Sequence, residues 1–224
     1  MLFAIDFDGT VATEDTVDAL LEKHADPAWE LLEAEWRAGK ISALECMREQ
    51  IALVRADHIT LVNFFRSIRL DPHFRAFYEH VRHFAQVAVI SDGLDFGARI
   101  ALRQAGLERV PVFANRLEFM APDRLVLSFP LRQENCGGGN GVCKCAVAQK
   151  LSSIGGGPIV LVGDGKSDAC LAKMADIVFA KGELIRHCQE NDIDHIPFQG
   201  FDEVLATVRR RESAWLYGHI GIAH

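Results

Sequence analysis

Short apolar runs alternate along most of this chain with segments of helical periodicity, and no other feature constrains its fold as much. The runs are LFAIDF at 2–7, VAVIS at 87–91, a stretch at 110–114, PIVLVGD at 158–164 and another at 177–181. Each is apolar at successive positions rather than alternate ones, which suits parallel strands covered on both faces. Helical segments are predicted at 95–105, closed by Gly106, and at 144–154, 167–175, 182–191 and 201–213. Parallel strands joined by crossover helices make a doubly wound, Rossmann-like α/β sheet.

The first strand is separated from the rest by about 70 residues with helix-start signals and little else. Asp26-Pro27 and Asp71-Pro72 each place an N-cap residue before proline, and Ser42 with Glu45 forms a capping box. Phe74, Phe77, Val81 and Phe84 recur at helical spacing. The organisation predicted is a core of residues 1–14 and 85–224 with a helical cap, 15–84, inserted after the first strand. A small hairpin-like insertion is predicted near 115–131, around a Pro-Asp turn.

Composition narrows the function. A net charge of −7 over 224 residues argues against a nucleic-acid surface. Six cysteines are too few for a disulfide scaffold at this length. The N-terminus MLFAIDF lacks a basic leader, and no apolar stretch reaches membrane-spanning length. A cytoplasmic protein with no membrane partner is expected; the sequence leaves its oligomeric state open.

Three of the apolar runs end in polar clusters: Asp6-Phe7-Asp8-Gly9-Thr10, Ser91-Asp92-Gly93, and Gly163-Asp164-Gly165-Lys166-Ser167-Asp168. In a parallel sheet these converge at the carboxyl ends of the strands, where ligands bind. Asp6 and Asp8, two apart, leave extended backbone on the same face. With Asp164 they make three carboxylates that repel one another unless a cation or proton intervenes, and Mg²⁺ is the hard ion expected.

DFDGT, Ser91, Lys144 and GDGKSD, in that order, resemble the four motifs of the haloacid dehalogenase superfamily of phosphohydrolases, in its phosphoserine-phosphatase-like branch. The cysteine-rich CGGGNGVCKC before the lysine and the tail HCQENDIDHIPFQGFDEV are similar to the 2-hydroxy-3-keto-5-methylthiopentenyl-1-phosphate phosphatases of methionine salvage. The resemblance implies an enzyme hydrolysing a small phosphorylated metabolite, with Asp6 as nucleophile through an aspartyl-phosphate and Asp8 as acid and base. Mg²⁺ would be held by Asp6, the Asp8 carbonyl and Asp164. Phosphate oxygens would be held by Gly9, Thr10, Ser91, Asp92, Gly93 and Lys144, with Asp168 orienting Lys144 or a metal-bound water.

Leaving-group selection is expected from Asp15, Trp36, Arg48 and Gln50 on the cap. A phosphoserine phosphatase is the competing reading, but at the register where those relatives carry an arginine this chain has Gln50. Arg48 lies about 200° around the helix from it. A signalling receiver domain also clusters aspartates with a lysine, yet needs neither an Asp8-like acid nor a 70-residue insertion. Gly165-Lys166-Ser167 lacks the first glycine of a nucleotide-binding P-loop, Val160 standing there. Cys136, Cys143 and Cys145 do not have the paired spacing of a structural zinc site. His73, His80 and His83 fall off the apolar stripe and are expected in solvent, and Arg209–Arg211 are expected at a helix end.

Overall fold

A computed structural model describes residues 1–121, 124–134, 136 and 139–216. Its strands are β1 (Leu2–Ile5), β2 (Gln86–Leu94), β3 (Val112–Ala121), β4 (Arg124–Ser128), β5 (Ile159–Gly163), β6 (Ile177–Ala180) and β7 (Ile196–Pro197). They form one sheet in the order β4-β3-β2-β1-β5-β6-β7, parallel except for the antiparallel β3–β4 pair. The helices are α1 (Thr16–His24), α2 (Trp29–Arg37), α3 (Ala43–Ala52), α4 (His58–Ser67), α5 (Phe74–Val81), α6 (Asp95–Gln104), α7 (Lys144–Gly155), α8 (Ala169–Ala172), α9 (Gly182–Glu190) and α10 (Phe201–Leu216). The doubly wound sheet expected from the sequence is the fold observed.

β1 lies at the centre, paired with β2 on one side and β5 on the other. The chain fills one wing through β4 and then crosses to build the other, so the end of β1 borders the crevice where the winding reverses. All four β1 residues are buried. Phe3 and Ile5 join a core layer with Phe74, Phe77, Val204 and Val208, while Leu2 and Ala4 join one with Val147, Leu161, Leu171 and Leu184. That two-sided burial is why the strand is apolar at every position.

The cap helices bury Leu20, Leu21, Ile51, Leu61, Phe64 and Phe65 against Leu94 of β2 and against Leu117, Leu125 and Leu127 of the β3–β4 hairpin. The hairpin thus forms the floor of the cap; the Pro-Asp turn predicted at its tip lies outside the described residues. Asp15, Ser42 and Asp57 cap α1, α3 and α4 by accepting backbone amides.

Several elements depart from expectation. α5 buries its Phe74–Phe77–Val81 stripe with β1 and α10, and Asp71 Oδ2 accepts the Phe201 amide at 3.1 Å. The chain comes back beside the first turn at the Ala12–Leu70 bridge. α2 starts at Trp29, because Asp26 turns the chain first by accepting the Ala28 amide at its side chain. The segment predicted as a helix at 167–175 is a 3₁₀ turn, Lys166–Asp168, running into the single-turn α8. His80 is paired with Glu212 at 2.7 Å rather than left to solvent. α10 runs on to Leu216, which places Arg209–Arg211 inside the helix. Trp215 docks on the core beside Phe179; the tail beyond Leu216 lies outside the described residues.

Candidate active site

The three polar clusters meet at the carboxyl ends of β1, β2 and β5. After Asp6 the chain makes one wide turn, Phe7–Val11, in which Gly9 adopts φ +69° and Asp8 stays extended. A Cβ on Gly9 would overlap the Asp164 carboxylate, so both the conformation and the close approach require glycine. The turn lets Thr10 Oγ1 donate to Asp164 Oδ1 at 2.9 Å. Lys144, the first residue of α7, is buried with Nζ 2.7 Å from Asp6 Oδ1 and 2.6 Å from Asp168 Oδ1. Asp168 Oδ2 accepts the amides of Asp164 and Gly165. Asp168 therefore anchors the lysine and the loop after β5 together.

Asp8 faces a different set of partners. Its Oδ1 accepts the Thr16 amide at 2.9 Å and the Thr16 hydroxyl, and its Oδ2 accepts Ser91 Oγ at 3.2 Å. The Gly93 amide in turn donates to Ser91 Oγ at 2.9 Å. Burial raises Asp6 from 3.8 to about 7, against the opposing pull of Lys144. Burial, followed by the charge of Asp15, raises Asp8 to about 6. Asp168 rises to about 6, through burial and then the charge of Asp6. Burial disfavours the charge on Lys144, but Asp168 and Asp6 outweigh it and hold the ammonium above its ordinary range.

Ligand oxygens of Asp6, Asp164 and Asp168 lie within 4.8 Å of one another. Asp168 already accepts Lys144 and two amides, so Asp6 and Asp164 are the freer carboxylates to face a cation. An all-oxygen, carboxylate-rich donor set of this kind fits a small hard divalent ion.

A cavity of about 390 Å³ opens from this centre toward the cap. Its core wall includes Asp6, Asp8, Ser91, Asp92, Gly93 and Asp164; its cap wall is Asp15, Val17, Asp18, Glu33, Trp36, Ala43, Cys46, Met47 and Gln50. Three of the predicted cap residues, Asp15, Trp36 and Gln50, therefore do line it. Arg48 does not: two positions before Gln50 on α3, it turns away and lies over the Phe129 ring, 5.3 Å from its centroid. Gln50 is buried and donates to Glu33 Oε2 at 3.2 Å. Glu33 also takes Arg37 at 3.0 Å. Asp18 is pushed up to about 6 by partial burial, then by the neighbouring charges of Asp15 and Glu33.

Asp92, predicted to touch phosphate, lines the cavity but turns Oδ1 onto the Val142 amide at 2.9 Å. Sequence reasoning missed Thr16, whose one signal was its place at the helix start after Asp15. It also missed Asp18 and Glu33, each three positions, about one helical turn, from a residue that was singled out. In the first turn of α7, Cys145 Sγ lies 3.1 Å from Cys170 Sγ of α8.

The family model for haloacid dehalogenase-like hydrolases matches residues 3–173, and the chain belongs to that family. Among curated relatives, the 2-hydroxy-3-keto-5-methylthiopentenyl-1-phosphate phosphatase of Geobacillus kaustophilus is 30% identical, over 92% of this chain and 94% of its own. That of Exiguobacterium sp. is 28% identical, over 91% and 95%. A solved phosphoserine phosphatase, a phospho-aspartyl intermediate analogue, shares the fold with a TM-score of 0.66 at 22% identity, over 92% of this chain and 97% of that one. A haloacid dehalogenase family hydrolase from Salmonella enterica serovar Typhi shares it at 0.73 and 19% identity, over 91% and 69%. The chain is a phosphatase acting on a small phosphorylated metabolite. Among the described residues no helix is long and apolar enough to cross a membrane.

Proposed function

We propose that this phosphatase hydrolyses 2-hydroxy-3-keto-5-methylthiopentenyl-1-phosphate with Asp6 as nucleophile, Asp8 as acid and base, and Mg²⁺ as cofactor. The observation that carries the substrate is the cap wall of the cavity. Asp15, Asp18 and Glu33 supply carboxylates, Val17, Trp36, Ala43 and Met47 supply apolar surface, and no lysine or arginine of the cap lines it among the described residues; Lys166, after β5, lines it from the core side with its ammonium 3.9 Å from Glu183. A leaving group with hydroxyls to donate and a thioether to bury suits that wall, sulfur packing well against aromatic and thioether groups. A leaving group with its own carboxylate does not. The activity for which the curated relatives are named agrees with this reading.

The reaction divides between the two aspartates. An Asp6 oxygen attacks phosphorus while the ester oxygen departs, giving an acyl phosphate and a free alcohol. Asp8, raised to about 6, gives its proton to the departing oxygen and recovers one from the water that attacks in the second step. Thr16 and Ser91 fix its carboxylate from both sides. Ser91, the Gly93 amide and Lys144 hold the phosphoryl oxygens, and Lys144 keeps Asp6 in line. Asp6, Asp164 and the Asp8 carbonyl would hold Mg²⁺, which supplies charge neutralisation between the Asp6 carboxylate and the incoming phosphate.

The test is a competition for one enzyme preparation between the methylthiopentenyl phosphate and O-phosphoserine. A stranded carboxylate costs about 1–3 kcal/mol, so kcat/KM should favour the first by about tenfold to a hundredfold. Equal or higher kcat/KM for phosphoserine would overturn the assignment.

A further inference from the structure

Asn115 stands out among the polar residues of β3: Arg116 and Glu118 are exposed, whereas Asn115 is completely buried. The pairing of β2 with β3 explains where its amide goes. Ile90 pairs with Phe113, but the next pair is Leu94 with Asn115, so β2 bulges across Ser91-Asp92-Gly93. A bulge leaves backbone groups without ladder partners. Asn115 Nδ2 fills the gap, donating to the Asp92 carbonyl at 2.6 Å and lying 3.3 Å from Asp92 Oδ1. That same Oδ1 accepts the Val142 amide, two residues before Lys144. Gly141 packs directly on the Asn115 side chain, where a Cβ would overlap both its amide and the Phe129 ring. From the cap, Met47 Sδ lies 3.7 Å from the same Nδ2.

Asn115 Oδ1 has no hydrogen-bond partner among the described residues. A buried unsatisfied carbonyl is destabilising, and leucine would fill the space without that cost. The amide is therefore explained by what Nδ2 holds.

We propose that Asn115 is a positioning residue for phosphate binding. Through the Asp92 carbonyl it fixes the bulged loop bearing Ser91 and Gly93. Through the Asp92 carboxylate it fixes Val142, and with it the register of Lys144. It thereby sets the separation of the two groups that grip the phosphoryl oxygens. The inference rests on the proposed roles of Ser91 and Lys144 and adds a strut between them.

The test uses orthovanadate and inorganic phosphate as competitive inhibitors in the presence of Mg²⁺, because neither carries a leaving group. Asn115→Leu keeps the branched heavy-atom outline and removes the donor. It is expected to weaken both inhibitors at least tenfold while its melting temperature stays near wild type. Asp92→Ala cuts the same chain at its second link, and the double variant should lose no more than either single one, since the two act as a unit. Asp92→Asn, which keeps an acceptor for Val142, should recover most of the loss. Failure of both anions to inhibit the wild type would refute the phosphate site and this inference together. Inhibition of wild type with unchanged constants in folded Asn115→Leu would refute the strut alone. Should Asn115→Leu fail to fold, unchanged constants in Asp92→Ala, or additive losses in an Asn115→Ala/Asp92→Ala double variant, would do the same.

Discussion

Stability of the metal-free protein should fall as pH rises from 5 to 8, the reverse of the usual behaviour of paired carboxylates. Asp6 is raised in the fold to about 7 from 3.8, chiefly by burial. The folded chain then keeps a proton that the unfolded chain releases, and stability is lost as pH rises through the folded value. A rise of about three pH units at about 1.4 kcal/mol each amounts to about 4 kcal/mol, of which about 2–3 kcal/mol falls between pH 5 and 8. Asp8 and Asp168, each raised to about 6, act in the same direction. The assay is urea unfolding in EDTA at pH 5 and pH 8, repeated with excess Mg²⁺. A cation bound only by the fold adds about 2.7 kcal/mol at a hundred times its dissociation constant, and the gain should appear at pH 8 and largely vanish at pH 5. Asp6→Asn removes the buried charge and keeps the shape, so at pH 8 in EDTA it should be about 2–4 kcal/mol more stable than wild type while losing turnover. Metal-free stability that is flat or rising from pH 5 to 8, or an Asp6→Asn protein less stable at pH 8, would refute the argument.

Asp8→Asn should leave the fold intact and reduce kcat by at least a hundredfold on an alkyl phosphate, with a smaller loss on an aryl ester whose leaving group needs no proton; equal losses on both would count against the acid role. Gly9→Ala must place a side chain at φ +69° against Asp164, so it should destabilise by about 2–4 kcal/mol and weaken Mg²⁺ binding, as read by thermal melts with and without the ion. Metal analysis of purified protein should find no zinc bound at the cysteine-rich loop, and Cys136→Ser, Cys143→Ser and Cys145→Ser should keep the wild-type melting temperature; one zinc per chain, lost together with stability, would reverse that expectation.

Much of the core was legible because its signals are local. Asp6, Asp8 and Asp164 each close an apolar run, and a strand that is apolar at successive positions can sit only between two helical layers. The acidic character of the cap wall was harder to read. Asp18 and Glu33 are ordinary charged helix positions until α1 and α2 are set over the strand ends, and nothing in their spacing tells solvent from cavity. Arg48 and Gln50 show the same limit at closer range, since the choice between them turned on the rotation of α3. The stripe of α5 was visible, but a stripe does not name its partner, and α10 lies far along the chain. Asn115 did leave a trace, as a lone amide in VFAN. Its meaning required the bulge in β2, which depends on a register between two strands and on no single segment. β7, only Ile196–Pro197, is too short for any periodicity to form.

The central place of β1 has a consequence for how the chain reaches this structure. Leu2 pairs with Gln86 on one side and Ile159 on the other, so the first strand waits for one partner until β2 is made and for the second until β5. Closing the longer of these loops costs only about 0.6 kcal/mol more than closing the shorter, since the separation roughly doubles. The equilibrium barely registers the arrangement, but the rate does, because non-local parallel pairing slows folding. The helices of residues 16–67 wait as well, since α3 packs on β4 and α4 on α6, while β1 gains one partner when β2 is made and its second only when the chain has passed β5. On a ribosome, that interval leaves one edge of an apolar strand open through most of synthesis, and a chaperone that holds extended apolar segments would find a binding site there.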